Sequence, residues 1–278
     1  MKRLAVFALV VAALSSGCTL QPRQQLRLYV FDCGRVRLAS VEAFGIADHE
    51  TDIREAPFPC YMIEHPRGRL LWDGGMPSSV AQTRDWQQAM PGYWVRLDRT
   101  LGDQLGELGL TLDSLDYIVF SHFHWDHVGI ANELRKGTVI VQQAEYDAAF
   151  APEVKVPGFR PETYARVREL DKRFVDGDHD VFGDGRVRII SAPGHTPGHH
   201  VLLVRLAETG PVVLSGDLYH FRISREKQSV PVFNVDPVQS RQSMQRVETL
   251  LRETGAELWI HHDPELFASQ KKAPHYYR

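Results

Sequence analysis

The stretch Ser121-His-Phe-His-Trp-Asp-His-Val-Gly129 places three histidines and a carboxylate in six consecutive positions, directly after the apolar run Tyr117-Ile-Val-Phe120. One histidine in a polar loop needs no explanation. Four nitrogen and oxygen donors in one short loop are better explained by a shared cation. Imidazole and carboxylate without a thiolate suit a borderline divalent ion, Zn2+ first and then Mn2+, Fe2+ or Co2+. Neither Cys33 nor Cys60 lies near the donors.

Three further polar clusters follow β-type runs. Gly194-His195-Thr-Pro-Gly198 comes after 187–190, Ser215-Gly-Asp217 after 212–214, and His261-His262-Asp263 after 258–260. Other runs of the same kind are 26–31, 61–64, 69–72, 117–120, 138–141 and 201–205. Helical spacing appears at Leu101, Leu105 and Leu108, and over 238–252 with Met244, Val247, Leu250 and Leu251 before a stop at Gly255. Strands interleaved with helices predict an α/β or α+β sandwich, which the family resemblance given below narrows to the αββα kind, and loops at one sheet edge converge where sites are built. Seven candidate donors exceed what one tetrahedral ion uses, so two ions sharing a carboxylate are expected.

The chain has 278 residues and a formal net charge of -3, with no basic excess to hold a phosphate backbone, so nucleic acid is excluded as an expected partner. Lys2-Arg3, the apolar residues 4–14 and the small residues before Cys18 read as an export signal, too short to span a bilayer. The expected organisation is a signal over 1–17, a tether over 18–25 and one domain over 26–278. The end of the signal resembles a bacterial lipobox, which would lipidate Cys18 and give a periplasmic or outer-membrane lipoprotein; simple secretion is the alternative. An oxidising compartment permits a disulfide between Cys33 and Cys60, but neither spacing nor sequence requires one, and two buried free thiols are the expected state.

His122-x-His124-x-Asp126-His127, then His195 in Ala-Pro-Gly-His-Thr-Pro-Gly-His, then Asp217 in Ser-Gly-Asp, then a late histidine, resembles the metallo-β-lactamase-fold hydrolase superfamily in order and spacing. The resemblance implies that His122, His124 and His195 hold one metal, that Asp126, His127 and a late histidine hold the second, and that Asp217 bridges them. His262 is preferred over His261 because Asp263 follows it. The resemblance also implies a dinuclear hydrolase in which Asp126 orients water and carries its proton.

Within that superfamily, the full ligand set argues against a true β-lactamase, and the 61 residues after Asp217 leave no room for a glyoxalase II-type helical domain. Leu28-Tyr-Val-Phe-Asp-Cys-Gly34, Pro59-Cys-Tyr-Met-Ile-Glu-His-Pro-Arg-Gly68 and Leu71-Trp-Asp-Gly-Gly-Met-Pro77 look like the N-acyl-homoserine lactonase group. A lactone or related ester is therefore the expected substrate, and an exported organophosphate or aryl-ester hydrolase is the alternative. An inactive metal-binding protein would be expected to lose ligands, and none is missing. One departure stands out: where many such lactonases have Tyr, this chain has His220, with Tyr219 one position earlier. Either is a candidate donor to the substrate carbonyl.

His199 or His200 is read as a partner behind the ligands. His49, His65, His179 and His275 are read as surface or core residues, and Trp125 as packing against the metal loop. Trp86-Gln-Gln-Ala-Met90 and Pro91-Gly-Tyr-Trp-Val95 can form an apolar wall for an acyl chain, with Trp94 in it, a homodimer contact, or ordinary core.

Overall fold

The computed structural model describes residues 25–278. The signal, Cys18 and all of the tether but Gln25 lie outside the described residues. Among those described, no helix is long and apolar enough to cross a membrane.

Two sheets face each other. The first runs β4 (Gln87–Met90), β5 (Tyr93–Arg96), β1 (Arg27–Leu38), β2 (Glu55–His65), β3 (Gly68–Trp72), β6 (Tyr117–Val119), β7 (Thr138–Gln142) and β8 (Asp171–Val175), with β14 (Tyr276–Tyr277) paired onto β1. The second runs β13 (Glu257–Trp259), β12 (Gly210–Leu214), β11 (His200–Leu206), β10 (Val187–Ser191) and β9 (His179–Asp180).

The two-residue side-chain period sorts the layers. Along β11, Leu202, Val204 and Leu206 face the first sheet and meet Leu28, Val30, Leu70 and Trp72. Val201 and Leu203 face outward onto Met244, Val247 and Leu251 of α5 (Pro237–Thr254). On the far side of the first sheet, Phe31, Met62, Leu71 and Val139 pack with Leu101 and Leu105 of α1 (Leu101–Gly106) and Ala149 of α2 (Gln143–Ala149). Helices thus cover both outer faces, the expected αββα sandwich. The inner strands are buried on both faces, which is why they read as continuous apolar runs.

Helix α5 begins where Asp236 accepts from the backbone N–H groups of Val238 and Gln239 at 2.9 Å each, has Pro237 at its first position, and stops at Gly255 with φ 66°. The stop at Gly255 was legible. Leu108, expected in the first helix, lies beyond its end at Gly106.

Two expectations are corrected here. The segment 86–95 is an edge hairpin turning at Pro91-Gly92, with Tyr93 opposite Leu38 and Trp94 opposite Arg37. Alternation sends Tyr93 and Val95 into an apolar cluster with Leu38, Phe44 and Phe58, and Trp94 to the other face.

Cys33 and Cys60 are not free thiols but a disulfide, with Cα atoms 5.8 Å apart. Register explains it: Cys60 lies opposite Phe31, and an irregularity between Asp32 and Arg35 brings Cys33 within reach of it. The bond closes a loop of sequence separation 27, and loop-closure entropy alone makes it worth about 3–4 kcal/mol. The double substitution Cys33→Ser, Cys60→Ser is expected to lower the melting temperature by about 10 °C, and an unchanged thermal midpoint would show that the bond carries no stability.

Candidate metal centre

The donor-rich loop leaves the end of β6, the His195 loop joins β10 to β11, Asp217 follows β12, and His261 and His262 follow β13. All four therefore leave strand ends and meet at one edge of the sandwich. The metal loop lies on the loop after β3 without room for side chains: Gly129 N–H donates to Gly75 O at 2.9 Å, and a Cβ on Gly129 would stand 2.2 Å from that oxygen.

Two clusters of donors result, His122, His124, His195 and Asp217, and His127, His261 and His262. Asp217 reaches both. Its Oδ1 lies 3.1 Å from His127 Nε2 and 3.0 Å from His262 Nε2, and its Oδ2 lies 3.3 Å from His195 Nε2 and 3.7 Å from His122 Nε2. Asp126 Oδ2 stands 3.8 Å from His127 Nε2 and 4.0 Å from His262 Nε2.

Five imidazoles are oriented from behind. His122 Nδ1 meets Ser121 Oγ at 3.0 Å, His124 Nε2 meets Pro157 O at 2.8 Å, and His195 Nδ1 meets Asn234 Oδ1 at 2.8 Å. His127 Nδ1 meets Asp73 Oδ2 at 3.0 Å, and His262 Nδ1 meets Pro57 O at 2.9 Å. An N–H donated outward leaves the inner nitrogen of each ring with a bare lone pair.

These lone pairs face one another: His195 Nε2 lies 3.2 Å from His122 Nε2 and 3.1 Å from His124 Nδ1. His127 Nε2 is buried and faces the carboxylate oxygens of Asp217 and Asp126. Acceptors aimed at acceptors need a cation between them. Donors about 2.0–2.1 Å from one tetrahedral ion would stand about 3.3–3.4 Å apart, close to the observed separations, so the residues present fit two divalent ions.

Electrostatics separates the two clusters. Burial pulls His122 and His124 well below the ordinary imidazole range, which keeps them neutral. Burial acts in that direction on His127 too, but the carboxylates of Asp217, Asp73 and Asp126 outweigh it and raise the ring well above its usual value. Burial would raise Asp217; His127, His220, His262 and His122 around it hold it well below the carboxylate range instead.

His199 stands behind the ligands: its Nδ1–H donates to Ala192 O at 2.9 Å and its Nε2 accepts from Asp217 N–H at 2.9 Å. The His200 ring meets Gly198 O at 3.2 Å and packs edge-on against Trp72. His220 points inward, with Nε2 3.0 Å from Asp217 Oδ2. Tyr219 does not. Its hydroxyl accepts from Gln228 at 3.2 Å and reaches Glu248 of α5 at 3.4 Å, on the outer side of the second sheet, so it is withdrawn as a substrate contact. His261 stacks on His127 with ring centroids 4.6 Å apart; neither ring nitrogen makes a hydrogen bond among the described residues, and Nδ1 lies 3.7 Å from Asp73 Oδ2.

The donors His124, Asp126, Asp217 and His262 line a cavity of about 250 Å³ whose walls also include Leu38, Phe44, Phe58, Met90, Tyr93 and Phe233. Trp125 also lines it, with Arg160 over its ring at 5.0 Å, so it faces the cavity and does not simply pack on the loop. Trp94 is absent from the lining. Sequence reasoning missed Asp73, Asn234 and Ser121; Asp73 stands in the quoted Trp-Asp-Gly-Gly, but nothing in its spacing marks it as the partner of His127.

An apolar cavity over a paired histidine and carboxylate centre, set at the edge of an αββα sandwich, defines a metal-dependent hydrolase. The chain belongs to the metallo-beta-lactamase superfamily, whose family model matches residues 59–256. It is 34% identical over 265 residues to the N-acyl homoserine lactonase AttM of Rhizobium johnstonii, which covers 91% of this chain and 98% of that protein. It is 28% identical over 260 residues to the N-acyl homoserine lactonase AiiA of Bacillus thuringiensis subsp. kurstaki, covering 90% and 98%. Among solved structures it is similar to an N-acyl homoserine lactone hydrolase with the product N-hexanoyl-L-homoserine bound at its catalytic metal center, with a TM-score of 0.76, 26% identity, and coverage of 90% and 98%.

Proposed function

We propose that this chain is a dinuclear metal-dependent hydrolase that opens the ring of N-acyl-homoserine lactones. The observation that carries the reading is Asp217, one carboxylate with an oxygen in each histidine cluster, at the floor of an apolar cavity. The similarity to N-acyl homoserine lactonases over nine-tenths of the chain supports the substrate. His122, His124 and His195 would hold the first ion, Asp126, His127 and His262 the second, and Asp217 would serve both. Zn2+ suits this nitrogen and oxygen set best. When bound, two such ions acidify a water toward neutral pH and polarise an ester carbonyl.

The chain's own residues supply the rest. The acyl chain lies along Phe44, Phe58, Met90, Tyr93 and Phe233. Asp126, which lines the cavity beside the donors, takes a proton from the attacking water and returns it to the ring oxygen as the acyl C–O bond breaks. One water is consumed and one hydroxy acid leaves. His220, engaged with Asp217 Oδ2, steadies the bridging carboxylate.

The same reading makes the protein an exported lipoprotein anchored through Cys18. The signal-like residues 1–17 support it, as does a disulfide, which persists in oxidising compartments.

Purified protein is expected to bind two equivalents of divalent metal and to hydrolyse N-acyl-homoserine lactones. Phosphotriester turnover without lactone turnover would overturn the substrate. Tyr93→Ala is expected to raise KM more for long than for short acyl chains, since each buried methylene is worth about 0.8 kcal/mol, whereas Trp94→Ala leaves the chain-length profile unchanged. Identical profiles for wild type and Tyr93→Ala would remove the hairpin from the acyl site.

A further inference from the structure

Glu145, on α2, is a completely buried carboxylate. Such a carboxylate is costly to keep, and burial pushes it up to about 7 against the hydrogen bonds that favour its charge. Both oxygens are nevertheless used. Phe123 N–H donates to Oε1 at 2.8 Å and Gly198 N–H donates to Oε2 at 2.7 Å.

The two donors belong to different loops. Phe123 sits between His122 and His124, and Gly198 lies three residues after His195. A backbone bond from His200 N–H to Ser121 O, 3.1 Å, joins the roots of these loops where they leave the two sheets; Glu145 joins them further out, beside the ligands. The fit leaves no slack, because a Cβ on Gly198 would stand 2.5 Å from Glu145 Cβ and 2.6 Å from its backbone nitrogen. An apolar side chain could fill the same volume but could not accept either N–H.

We propose that Glu145 is a positioning residue whose carboxylate ties the His122–His124 loop to the His195 loop and so sets the spacing of the three histidines of the first cluster. The proposal rests on the metal centre described above. It makes a selective claim: the two bonds end on Phe123 and Gly198, beside His122, His124 and His195, and on none of His127, Asp126 or His262.

The test is a competition titration of metal-free protein with Zn2+ and a chromophoric chelator, which resolves two binding steps, together with the visible absorption of the Co2+-loaded form. Glu145→Gln keeps the shape but turns an amide N–H toward one of the two backbone donors. It is expected to weaken one binding step by about 10–100-fold, the usual cost of losing a partner behind a ligand, to leave the other within about threefold, and to shift the Co2+ bands. Gly198→Ala, which keeps the carboxylate but pushes the loop away, is expected to do the same. Equal loss at both steps, or at neither, overturns the proposal. Selective loss in Glu145→Gln but not in Gly198→Ala overturns it too, because the charge and not the tie would then be responsible. Wild-type protein that binds two ions without opening lactones would fail the proposed substrate and leave this result readable; binding of fewer than two would overturn the metal centre and the tie with it.

Discussion

Asp217→Asn is expected to lower lactone turnover by at least about a thousandfold, roughly 4 kcal/mol of barrier, and to weaken both metal sites at once. The reason is the division of its carboxylate, with Oδ1 3.0–3.1 Å from His262 and His127 and Oδ2 3.3 Å from His195. Asparagine keeps the volume but is neutral and offers one oxygen. Whichever cluster receives the NH2 group gains a donor where it needs a lone pair, and both lose negative charge. His199 and His220, which hold the backbone and Oδ2 of Asp217, prevent the side chain from rotating away to compensate. Metal content and lactone turnover measured on the same preparation decide the matter: a variant with two tightly held ions and near-normal activity would show that Asp217 does not bridge.

A second large effect is expected at Asp73. This buried carboxylate accepts from Ser121 N–H at 2.6 Å, from Ser121 Oγ at 3.0 Å and from His127 Nδ1 at 3.0 Å, and its backbone sits at φ 58°. Asp73→Ala leaves buried donors unsatisfied at about 1–3 kcal/mol each and frees the His127 ring to turn. Asp73→Asn tolerates the left-handed backbone and keeps the fold, but its amide nitrogen must face one of three donors. Metal affinity is expected to fall by about 10–100-fold in Asp73→Asn, and the melting temperature to fall clearly only in Asp73→Ala. Calorimetry beside the chelator titration separates the two effects; unchanged affinity in Asp73→Asn would mean that Ser121 alone orients His127.

The sandwich was legible because its inner strands are apolar on both faces and its ligand loops follow strand ends. The longest helix was legible through Gly255 and the spacing of Met244, Val247 and Leu251. The hairpin at 87–96 was not, because its aromatic residues serve two faces and its turn residues looked like a break. The disulfide was hidden for a different reason: pairing depends on the register of β1 against β2 and on the irregularity at Asp32–Arg35, which composition does not encode. At the site, histidines close in sequence announced themselves, whereas Asp73, Asn234 and Glu145 act through hydrogen bonds to residues distant in sequence and carry no local signature. Tyr219 and His220 are neighbours, yet they fall on opposite sides of the chain, and only the direction of the turn after β12 decides which one reaches the donors.

His122, His124 and His127 are carried by the first sheet, and His195, Asp217 and His262 by the second, so ions held between them are rivets through the sandwich. Pulling the sheets apart would break coordination before it exposed the apolar layer between them. Folding and metal uptake then become one equilibrium, and resistance to unfolding rises with the logarithm of free ion above its dissociation constant. The protein's persistence would then follow the ion supply of its surroundings as closely as its own packing.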